Sequence, residues 1–301
     1  MNRLDDTLAA IERIVLGKPL QVRLCLACLL ARGHLLVEDV PGVGKTLLAH
    51  TLARVLGLEW SRVQFTSDLL PADILGVSIF DRDTQRFQFR RGPAFTQLLL
   101  ADEINRASPK TQSALLEAME ERQISIDGVS HALPDPFFVV ATQNPHEQIG
   151  TFGLPESQLD RFLMRISLGF PDASVERRLL MEGERRELLS QQQPTLSAAQ
   201  VLQLQRAVRQ VHVAAPLLDY LQALIAHTRQ QARTGLSPRA ALGLLTAAQA
   251  WALIAGQDAV LPEHLQAVWP AVAAHRLDAD NGGEQGTTLA AQTLHTIPVP
   301  L

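Results

Sequence analysis

The clearest chemical signal in the chain comes from the segment Val37–Thr46. An apolar run leads there into a glycine-rich turn that ends Gly44-Lys45-Thr46. Glycines let such a turn curl so that its backbone N–H groups point at phosphate oxygens, and the helix that follows presents its positive N-terminal end to the same charge. A lysine in this position reaches the β- and γ-phosphates, and a threonine hydroxyl ligates Mg²⁺. The segment therefore predicts binding of a nucleoside triphosphate.

One residue departs from the usual spacing of a phosphate-binding loop. The pattern G-x-x-x-x-G-K-[ST] requires a glycine at position 39, where this chain has Asp39. The loop taken alone therefore carries less weight, and a second feature that handles nucleotide is needed to support it.

A pair of carboxylates supplies that second feature. Asp102 and Glu103 close the apolar run Leu98–Ala101, which predicts a buried strand. At the end of such a strand, Asp102 is expected to hold the Mg²⁺ shell, and Glu103 is expected to polarise a water for in-line attack on the γ-phosphate. A strand followed by an acidic helix cap would explain the pair without catalysis. The phosphate-binding loop upstream, at domain-scale separation, favours the catalytic interpretation.

Three more polar residues stand where they are able to assist hydrolysis. Asn144 follows the apolar run Val139–Thr142, and its amide is suited to orient the attacking water. Arg161 precedes another predicted strand and is suited to neutralise charge that develops on the γ-phosphate. Arg239 lies in the first turn of a helix that Ser237 is expected to cap. A cation there opposes the helix dipole, which indicates an external anion, with a surface ion pair as the alternative.

Composition fits an enzyme of about two domains. The chain has 301 residues, of which 47% are hydrophobic, so it can bury a sizeable core, and its formal net charge is −4. Nearly all positive charge comes from arginine, because the lysines are Lys18, Lys45 and Lys110. Without a basic tract, the sequence disfavours a protein that coats nucleic acid.

Residues 20–31 form an apolar stretch that Arg23 interrupts. The stretch is shorter than the ~18–20 residues that cross a bilayer, and no signal peptide or anchor is recognisable, so we expect a cytoplasmic protein that uses cellular ATP.

Cys25 and Cys28 lie in the same stretch as a C-x-x-C pair. Their spacing places them on one helical face, and without a second pair we interpret them as core residues rather than metal or redox ligands.

Alternating strand and helix patterns run to about residue 170 and indicate an α/β domain. Phe170-Pro171-Asp172 marks a boundary, because helices rarely continue through the residue before a proline. Beyond it the periodicity is purely helical, and residues 278–301 are expected to form a loose tail. The predicted strands are His34–Glu38, Arg62–Phe65, Gln97–Ala101, Phe137–Thr142 and Met164–Leu168. The predicted helices lie near residues 20–32, 45–57 and 109–122 in the first domain, and near 173–192, 197–211, 216–232, 238–255 and 262–277 in the second.

Two pairs of short alternating segments predict β-hairpins. Gly76–Phe80 and Gln85–Arg90 flank a polar turn, and Gln123–Ile126 meets Val129–Leu133 across Asp127-Gly128, a strong hairpin turn signal. Strands added at the edge of the main sheet are the alternative interpretation.

Six segments together resemble the MoxR family of AAA+ ATPases, within the helix-2-insert clade. The resemblance covers residues 10–277, and members of the family commonly lack the first glycine of the loop, so Asp39 fits the family. The six segments are Glu38–Thr46, Asp68–Ile74, Asp102–Ala107, Ala141–Pro145, Leu154–Phe162 and Ser237–Ala240.

The resemblance implies an architecture and an assembly. Residues 1–170 would form a P-loop NTPase core with a five-stranded parallel sheet and hairpin inserts near 76–91 and 123–134. Residues 171–277 would form an all-helical lid, followed by a tail over 278–301. The family also implies a homo-hexameric ring that binds Mg²⁺ and ATP between subunits.

The same resemblance implies a role for each candidate residue. Glu103 is similar to the Walker B base and Asn144 to sensor 1. Arg161 is similar to the arginine finger that acts on a neighbour's ATP, and Arg239 to sensor 2. Val15 is similar to the segment that packs near adenine. The implied nucleotide ligands are Pro41, Gly42, Val43, Gly44, Lys45, Thr46, Leu47 and Arg239, and the implied Mg²⁺ ligands are Thr46 and Asp102.

Members of this family are chaperone-like motors that commonly work with von Willebrand A-domain partners to activate metal- or cofactor-containing enzymes. We therefore expect ATP hydrolysis that drives remodelling of client proteins. A nucleic-acid motor is one alternative, because four arginines form a local positive strip on the first hairpin, although the net charge disfavours it. A metal-chelatase motor subunit is another. The strip consists of Arg82, Arg86, Arg90 and Arg91.

Overall fold

The computed structural model describes residues 3–145, 150–183, 185–232, 235–277 and 284–299, with the backbone alone at Arg186 and Glu284. Its strands, numbered along the chain, are β1 Leu35–Glu38, β2 Trp60–Gln64, β3 Gly76–Asp81, β4 Arg86–Arg91, β5 Leu98–Asp102, β6 Gln123–Ile126, β7 Val129–Ala132, β8 Phe138–Gln143 and β9 Met164–Ile166. Its α-helices are α1 Arg3–Ile14, α2 Pro19–Leu30, α3 Lys45–Val55, α4 Pro71–Leu75, α5 Pro109–Glu121, α6 Glu156–Leu159, α7 Ala173–Glu182, α8 Arg186–Gln191, α9 Ala198–Val208, α10 Ala215–Gln231, α11 Pro238–Ile254, α12 Pro262–Leu277 and α13 Glu284–Thr296.

Five strands form one parallel sheet in the order β2-β5-β8-β1-β9. In its centre Leu35 of β1 lies between Val140 of β8 and Met164 of β9. Strands β5 and β8 are buried almost throughout, as expected for a parallel sheet that is covered on both faces. The predicted α/β core with a five-stranded parallel sheet is confirmed. Because the strands are parallel, the carboxyl ends of β1, β5 and β8 meet at one edge.

Two apolar clusters cover the two faces of the sheet. Leu35 and Val37 belong to the first cluster and Leu36 to the second, as the alternation of side chains along β1 requires. Helix α5 supplies much of the second cluster. The first cluster contains α2 and α3 and continues without a break into α11 and α12, so the C-terminal helices pack directly on the sheet domain.

Both predicted hairpins are present as separate two-stranded antiparallel sheets, β3 with β4 and β6 with β7. Neither pairs with the five-stranded sheet, so the alternative of strands added at its edge is wrong. Asp127 and Gly128 both have positive φ, +52° and +77°, as a tight hairpin turn of this kind requires. The two hairpins touch where Phe89 stacks on His131, with ring centroids 4.1 Å apart.

The C-terminal region is helical, as predicted, but its first helix is divided. The prediction of one helix over 173–192 is wrong, because α7 ends at Glu182 and α8 begins at Arg186. Gly183 follows α7 with a φ of +73°, a conformation that suits glycine at the end of a helix. The start of α11 is as predicted, since the Ser237 hydroxyl accepts a hydrogen bond from Ala240 N at 3.1 Å.

The expected loose tail is wrong for residues 284–296, which form α13 and pack on α12 and α10. Ala290 and Thr293 are fully buried, and Trp269 Nε1 donates to Ala290 O at 2.9 Å. The flanking glycines and prolines predicted a loop, but contacts with α12 supply the apolar surface that holds the helix. Residues 278–283, 300 and 301 lie outside the described residues.

The cysteines of α2 are core residues, as predicted. Cys25 and Cys28 are unpaired and fully buried, and burial raises the pKa of both thiols. Across the described ranges, no three His, Cys, Asp or Glu side chains group as metal ligands. In the same ranges, no helix is long and apolar enough to cross a bilayer.

Candidate active site

The phosphate-binding loop follows β1 and leads into α3. Gly42 and Gly44 have φ values of +86° and +99°, which an L side chain adopts only under strain. Gly44 is the N-cap of α3, and no side chain caps this helix end. The first N–H groups of α3 are therefore left for a ligand in the cleft. The first turn of the helix also carries no acidic residue, and this combination binds phosphate.

Lys45 opens α3 and faces the carboxylates of the site. Its Nζ donates to Asp39 O at 2.5 Å, so the side chain folds back along the loop. Burial lowers the pKa of Lys45, and the nearby Asp39, Asp102 and Glu103 charges partly oppose that shift. The ammonium group thus lies between the loop and the acidic strand end, where a phosphate chain would pass.

Asp39 has a structural role that accounts for the missing glycine. Its Oδ2 accepts hydrogen bonds from Ser167 Oγ at 2.9 Å, Leu168 N at 2.7 Å and Gly169 N at 2.6 Å, and its Oδ1 accepts one from Val40 N at 2.9 Å. Burial alone would raise the pKa of Asp39, but these hydrogen bonds outweigh it and hold the pKa below its ordinary value. The carboxylate therefore ties the start of the loop to the segment that leads from β9 to the helical region.

Asp102 ends β5 with both carboxylate oxygens engaged. Thr142 Oγ1 donates to Oδ1 at 2.6 Å, and Arg62 NH2 donates to Oδ2 at 2.7 Å. The Asp102 side chain is mostly buried and lies beside the Arg62 guanidinium, so its position at the strand end is fixed.

Glu103 stands at the mouth of the cleft in the left-handed region, with a φ of +57°. Such a backbone costs an L residue about 1–2 kcal/mol and persists where neighbouring structure enforces it. Here Glu103 N donates to Thr142 Oγ1 at 2.9 Å, and Oε2 accepts from Gln64 Nε2 at 2.8 Å and Arg106 NH1 at 3.0 Å. These two side-chain hydrogen bonds therefore fix the position of the carboxylate.

A cleft of about 840 Å³ brings most of the predicted site together. Asn144, at the end of β8, lies in its wall with the carboxylates of β5 and the turn after β1. This confluence follows from the strand order, because β5, β8 and β1 are adjacent and end at the same edge. The predicted residues that line the cleft are Pro41, Gly42, Gly44, Lys45, Thr46, Leu47, Asp102, Glu103 and Asn144.

Four predicted site residues lie outside the cleft wall. Val43 packs against the first apolar cluster, and Val15 is buried in that cluster. Arg161 and Arg239 line a different cavity, at the edge of the sheet where β1 and β9 begin. There Arg161 Nε lies 3.1 Å from one oxygen of Glu120, and Arg239 NH1 lies 2.7 Å from the other. Within one chain, the two arginines are therefore on the side of the sheet opposite the phosphate-binding loop.

The far end of the cleft has an aromatic wall. The rings of His50 and Trp60 are stacked with centroids 4.1 Å apart, and burial, followed by the Arg54 charge, lowers the pKa of His50. Arg54 donates to Gln192 O at 2.8 Å and to Ser190 O at 3.3 Å, which holds α8 against the cleft. The helical region therefore forms one side of the nucleotide cavity.

Sequence reasoning missed the residues that orient the carboxylates. Arg62 and Gln64 belong to β2, and Gln64 lies opposite Asp102 in the parallel register. Thr142 lies near the end of β8, which pairs with β5, the strand of Asp102. A usable signal is present in the sequence, because polar residues lie near the ends of three predicted strands, and parallel strands place such residues at one edge of the sheet.

Comparisons with known proteins agree with this geometry. The profile described as "ATPase family associated with various cellular activities (AAA)" matches residues 34–164, and the profile "AAA lid domain" matches residues 224–295. The first contains the loop and both carboxylates, and the second includes α11, α12 and most of α13.

Similar proteins span nearly the whole chain. YeaC of Bacillus subtilis, described as uncharacterized, is 43% identical over 97% of this chain and 93% of its own length. The chaperone MoxR1 of Mycobacterium tuberculosis is 41% identical over 92% of this chain and 76% of its own length. A crystal structure from Cytophaga hutchinsonii, described as a candidate ATPase, superposes with a TM-score of 0.88 at 33% identity, covering 100% of this chain and 96% of that one.

The similarity extends through both domains and includes the residues that would bind and hydrolyse a nucleotide. The loop, the carboxylate pair and the helical lid are those of a nucleotide hydrolase, and the similarity to the chaperone MoxR1 covers 92% of this chain. The chain belongs to the MoxR family of AAA+ ATPases.

Proposed function

We propose that this ATPase works as a homo-hexameric ring in which each cleft is completed by arginines of the neighbouring copy. The observation that carries the proposal is the position of Arg161 and Arg239, which lie together on the opposite edge of the sheet from the loop of their own chain. A closed head-to-tail ring brings that edge of one copy to the cleft of the next.

The arginines that line the cleft are already engaged. Arg62 forms its ion pair with Asp102, and Arg54 donates to backbone carbonyls of α8. An arginine that assists Lys45 at the γ-phosphate would therefore come from another copy. An arginine supplied by a neighbour contributes roughly 10³–10⁵ in rate to nucleotide hydrolysis, so it would make activity depend on assembly.

The residues of the cleft bind the phosphates, activate the attacking water and ligate Mg²⁺. The loop N–H groups and Lys45 bind the phosphates, and Glu103 takes the proton of the attacking water, which Asn144 helps to orient. Thr46 and Asp102 line the cleft and present the oxygen ligands that Mg²⁺ prefers. Bound there, Mg²⁺ neutralises charge on the phosphates.

Mixing two inactive variants tests the sharing of sites. Glu103→Gln lacks the base but keeps Arg161, and Arg161→Ala lacks the arginine but keeps the base. Each alone should lose at least ~10²-fold in turnover and still bind ATP. A random equimolar mixture should recover about a quarter of wild-type activity, because one interface in four pairs an intact base with an intact arginine.

Arg177→Ala is the matched control for the arginine, since Arg177 is exposed on α7. It should retain wild-type turnover. An Arg161→Ala protein with undiminished turnover, or a mixture no more active than its parts, would contradict the ring.

We infer that the motor remodels or activates protein clients, with a von Willebrand A-domain protein as partner and the cytoplasm as its location. Support for a protein client comes from the β3–β4 hairpin, where Phe80 and Phe87 form an edge-to-face pair at 5.3 Å, and Phe87 is 72% exposed. Exposed apolar groups of this kind bind other proteins. A relative that is 41% identical over 92% of this chain is named a chaperone.

Capture with the Glu103→Gln protein tests the client role. This variant should hold ATP without cleaving it, so proteins retained with ATP but not with ADP are candidates for partner and client. Recovery of a von Willebrand A-domain protein or a metalloenzyme subunit in the host lysate would support the inference. Changing both Phe80 and Phe87 to Ser should abolish that capture and leave ATP binding intact.

A nucleic-acid motor is the second candidate, favoured by Arg82, Arg86 and Arg90 on the same hairpin. Phosphate contacts of that kind would give DNA affinity that falls steeply with salt. A DNA-binding assay over a salt series separates the two functions, since the protein-remodelling function requires no such binding.

A further inference from the structure

Four arginines converge on a concave surface outside the cleft. The cavity has a volume of about 710 Å³ and is lined by Arg32, Arg122, Gln205, Arg206 and Arg209, which we call the arginine pocket. Arg32 follows α2, Arg122 separates α5 from β6, and the other three belong to the end of α9 or follow it directly. The pocket therefore joins the sheet domain, the root of the β6–β7 hairpin and the helical lid.

Two of the guanidiniums are held in place by neutral groups. Gln205 is buried, its Nε2 donates to Leu29 O at 2.8 Å, and its Oε1 accepts from Arg32 NH1 at 3.3 Å. Arg122 NH2 donates to Arg32 O at 2.7 Å. These bonds order the side chains and consume few of their donors, because each guanidinium carries five N–H groups.

The backbone at both positions is unusual for arginine. Arg32 and Arg122 have φ values of +60° and +53°, at helix ends where glycine or asparagine is conformationally favoured. Each arginine strains the chain locally, and both side chains enter the same cavity. The backbone geometry at these two positions therefore does not by itself favour arginine.

The pocket carries excess positive charge. Asp135 is the carboxylate that pairs with it in the described ranges, 3.2 Å from Arg32 and 4.0 Å from Arg122. Arg206 and Arg209 are exposed, and no described carboxylate lies within ion-pair distance of either. The helix ends nearby add partial negative charge. The partial charges of the helix ends and the charge of Asp135 together do not balance the charge of four guanidiniums. Burial, together with the nearby charges of Arg32 and Arg209, holds the pKa of Arg122 below its usual range.

We propose that the arginine pocket binds a small phosphate-bearing anion with two or more negative charges, for which inorganic pyrophosphate is the simplest probe. Planar guanidiniums that converge from three elements match the several oxygens of a diphosphate, which they bind in bidentate fashion. The anion would bridge Arg122 at the hairpin root and Arg206 and Arg209 of the lid. This site is separate from the nucleotide cleft and does not depend on the proposed ring.

Calorimetric titration of the full-length chain with pyrophosphate tests the proposal. The Lys45→Ala background removes the loop lysine, so that binding in the cleft is suppressed. In that background we expect pyrophosphate to bind at one site per chain, with an affinity that falls as salt is raised. Adding Arg206→Gln and Arg209→Gln should weaken binding at least tenfold.

The matched control adds Arg3→Gln and Arg177→Gln, which remove the same charge from exposed positions on α1 and α7 and should leave the affinity unchanged. Circular dichroism and thermal melting establish that each protein is folded. Competition by ADP would identify the phosphate of a nucleotide as the ligand, and its failure would identify a free polyphosphate; both support the pocket.

Three results would overturn the proposal. The first is the absence of pyrophosphate binding in the Lys45→Ala background at millimolar concentration. The second is equal affinity in the two double-arginine variants. The third is a loss of self-association in the Arg206→Gln, Arg209→Gln protein with pyrophosphate affinity intact, which would make the pocket a docking surface for an acidic region of another copy.

Discussion

At the scale of single residues, Asp39 links the nucleotide loop to the lid. Its carboxylate is 7% exposed and accepts hydrogen bonds from Ser167, Leu168 and Gly169, just beyond β9. The chain enters the helical region a few residues later. Asp39 is therefore a direct side-chain link between the loop and the segment that enters the helical region.

Asp39→Asn should lower the free energy of unfolding by about 2 kcal/mol at pH 7, because hydrogen bonds to a charged group contribute ~1.5–3 kcal/mol. The pKa of Asp39 is lower in the folded protein than the ~3.9 of a free carboxyl. Its stabilisation is therefore complete above that unfolded value and is lost as the pH falls through the folded pKa. Urea titrations at pH 7 and pH 3 should show the difference from wild type shrinking at pH 3.

Asp219→Asn serves as the control for that change, since Asp219 is exposed on α10. It should leave the free energy of unfolding within about 0.5 kcal/mol of wild type at both pH values. Equal stability of Asp39→Asn and wild type at pH 7 would refute the anchoring role.

At the scale of elements, α13 shows how tertiary contact overrides local pattern. The segment carries Gly286 and four threonines, and it is short for an isolated helix in water. Trp269 of α12 provides an apolar surface for the helix. Its buried indole Nε1–H requires a hydrogen-bond acceptor, and Ala290 O supplies one. The helix therefore exists because α12 and α10 provide the surface on which it packs.

Ala290→Asp and Ala291→Asp form a matched pair on this helix. Ala290 is fully buried and Ala291 is exposed, so the same carboxylate is placed inside or outside the packed surface. Burial of an uncompensated charge should cost at least ~2 kcal/mol for Ala290→Asp, whereas the exposed change should stay within about 0.5 kcal/mol. Thermal unfolding followed by circular dichroism measures both, and equal melting temperatures would mean that α13 does not contribute to the fold.

At the scale of the whole molecule, two groups of functional residues lie at opposite edges of one sheet. The cleft with Lys45 and Glu103 is at the carboxyl edge, and Arg161 and Arg239 are at the amino edge, where both form ion pairs with Glu120. Helix α5 carries Glu120 and continues into the β6–β7 hairpin. In the proposed ring, Arg161 and Arg239 would leave Glu120 to contact a neighbour's phosphates. The loss of these two ion pairs would change the contacts of α5 close to where the β6–β7 hairpin begins.

The specific ATPase activity should rise with protein concentration. If the arginines act on a neighbouring cleft, a dispersed chain lacks a contribution of roughly 10³–10⁵ in rate, so dilution should reduce turnover per chain by tenfold or more. Turnover at saturating ATP, measured from nanomolar to micromolar protein alongside light scattering, checks this. If turnover per chain stayed constant over the concentrations at which light scattering shows the assembly dissociating, the shared site would be contradicted.

The sequence by itself determined the features that depend on neighbouring residues. Gly42 and Gly44 reveal the phosphate loop because only glycine takes their backbone conformation readily, and Asp127-Gly128 reveals a hairpin for the same reason. The buried strand before Asp102 is visible as an unbroken apolar run. These signals were sufficient for the class of fold, the type of ligand and the central carboxylates.

Only the tertiary structure decided which distant residues meet. The order β2-β5-β8-β1-β9 sets Gln64 beside Glu103, and the packing of the lid brings Arg239 to Glu120 rather than to the cleft of its own chain. Contacts of this kind depend on strand order and helix docking across 39 and 119 residues of chain, which no local pattern encodes. The arginine pocket has the same origin, because its cations come from three elements that converge only in the folded molecule.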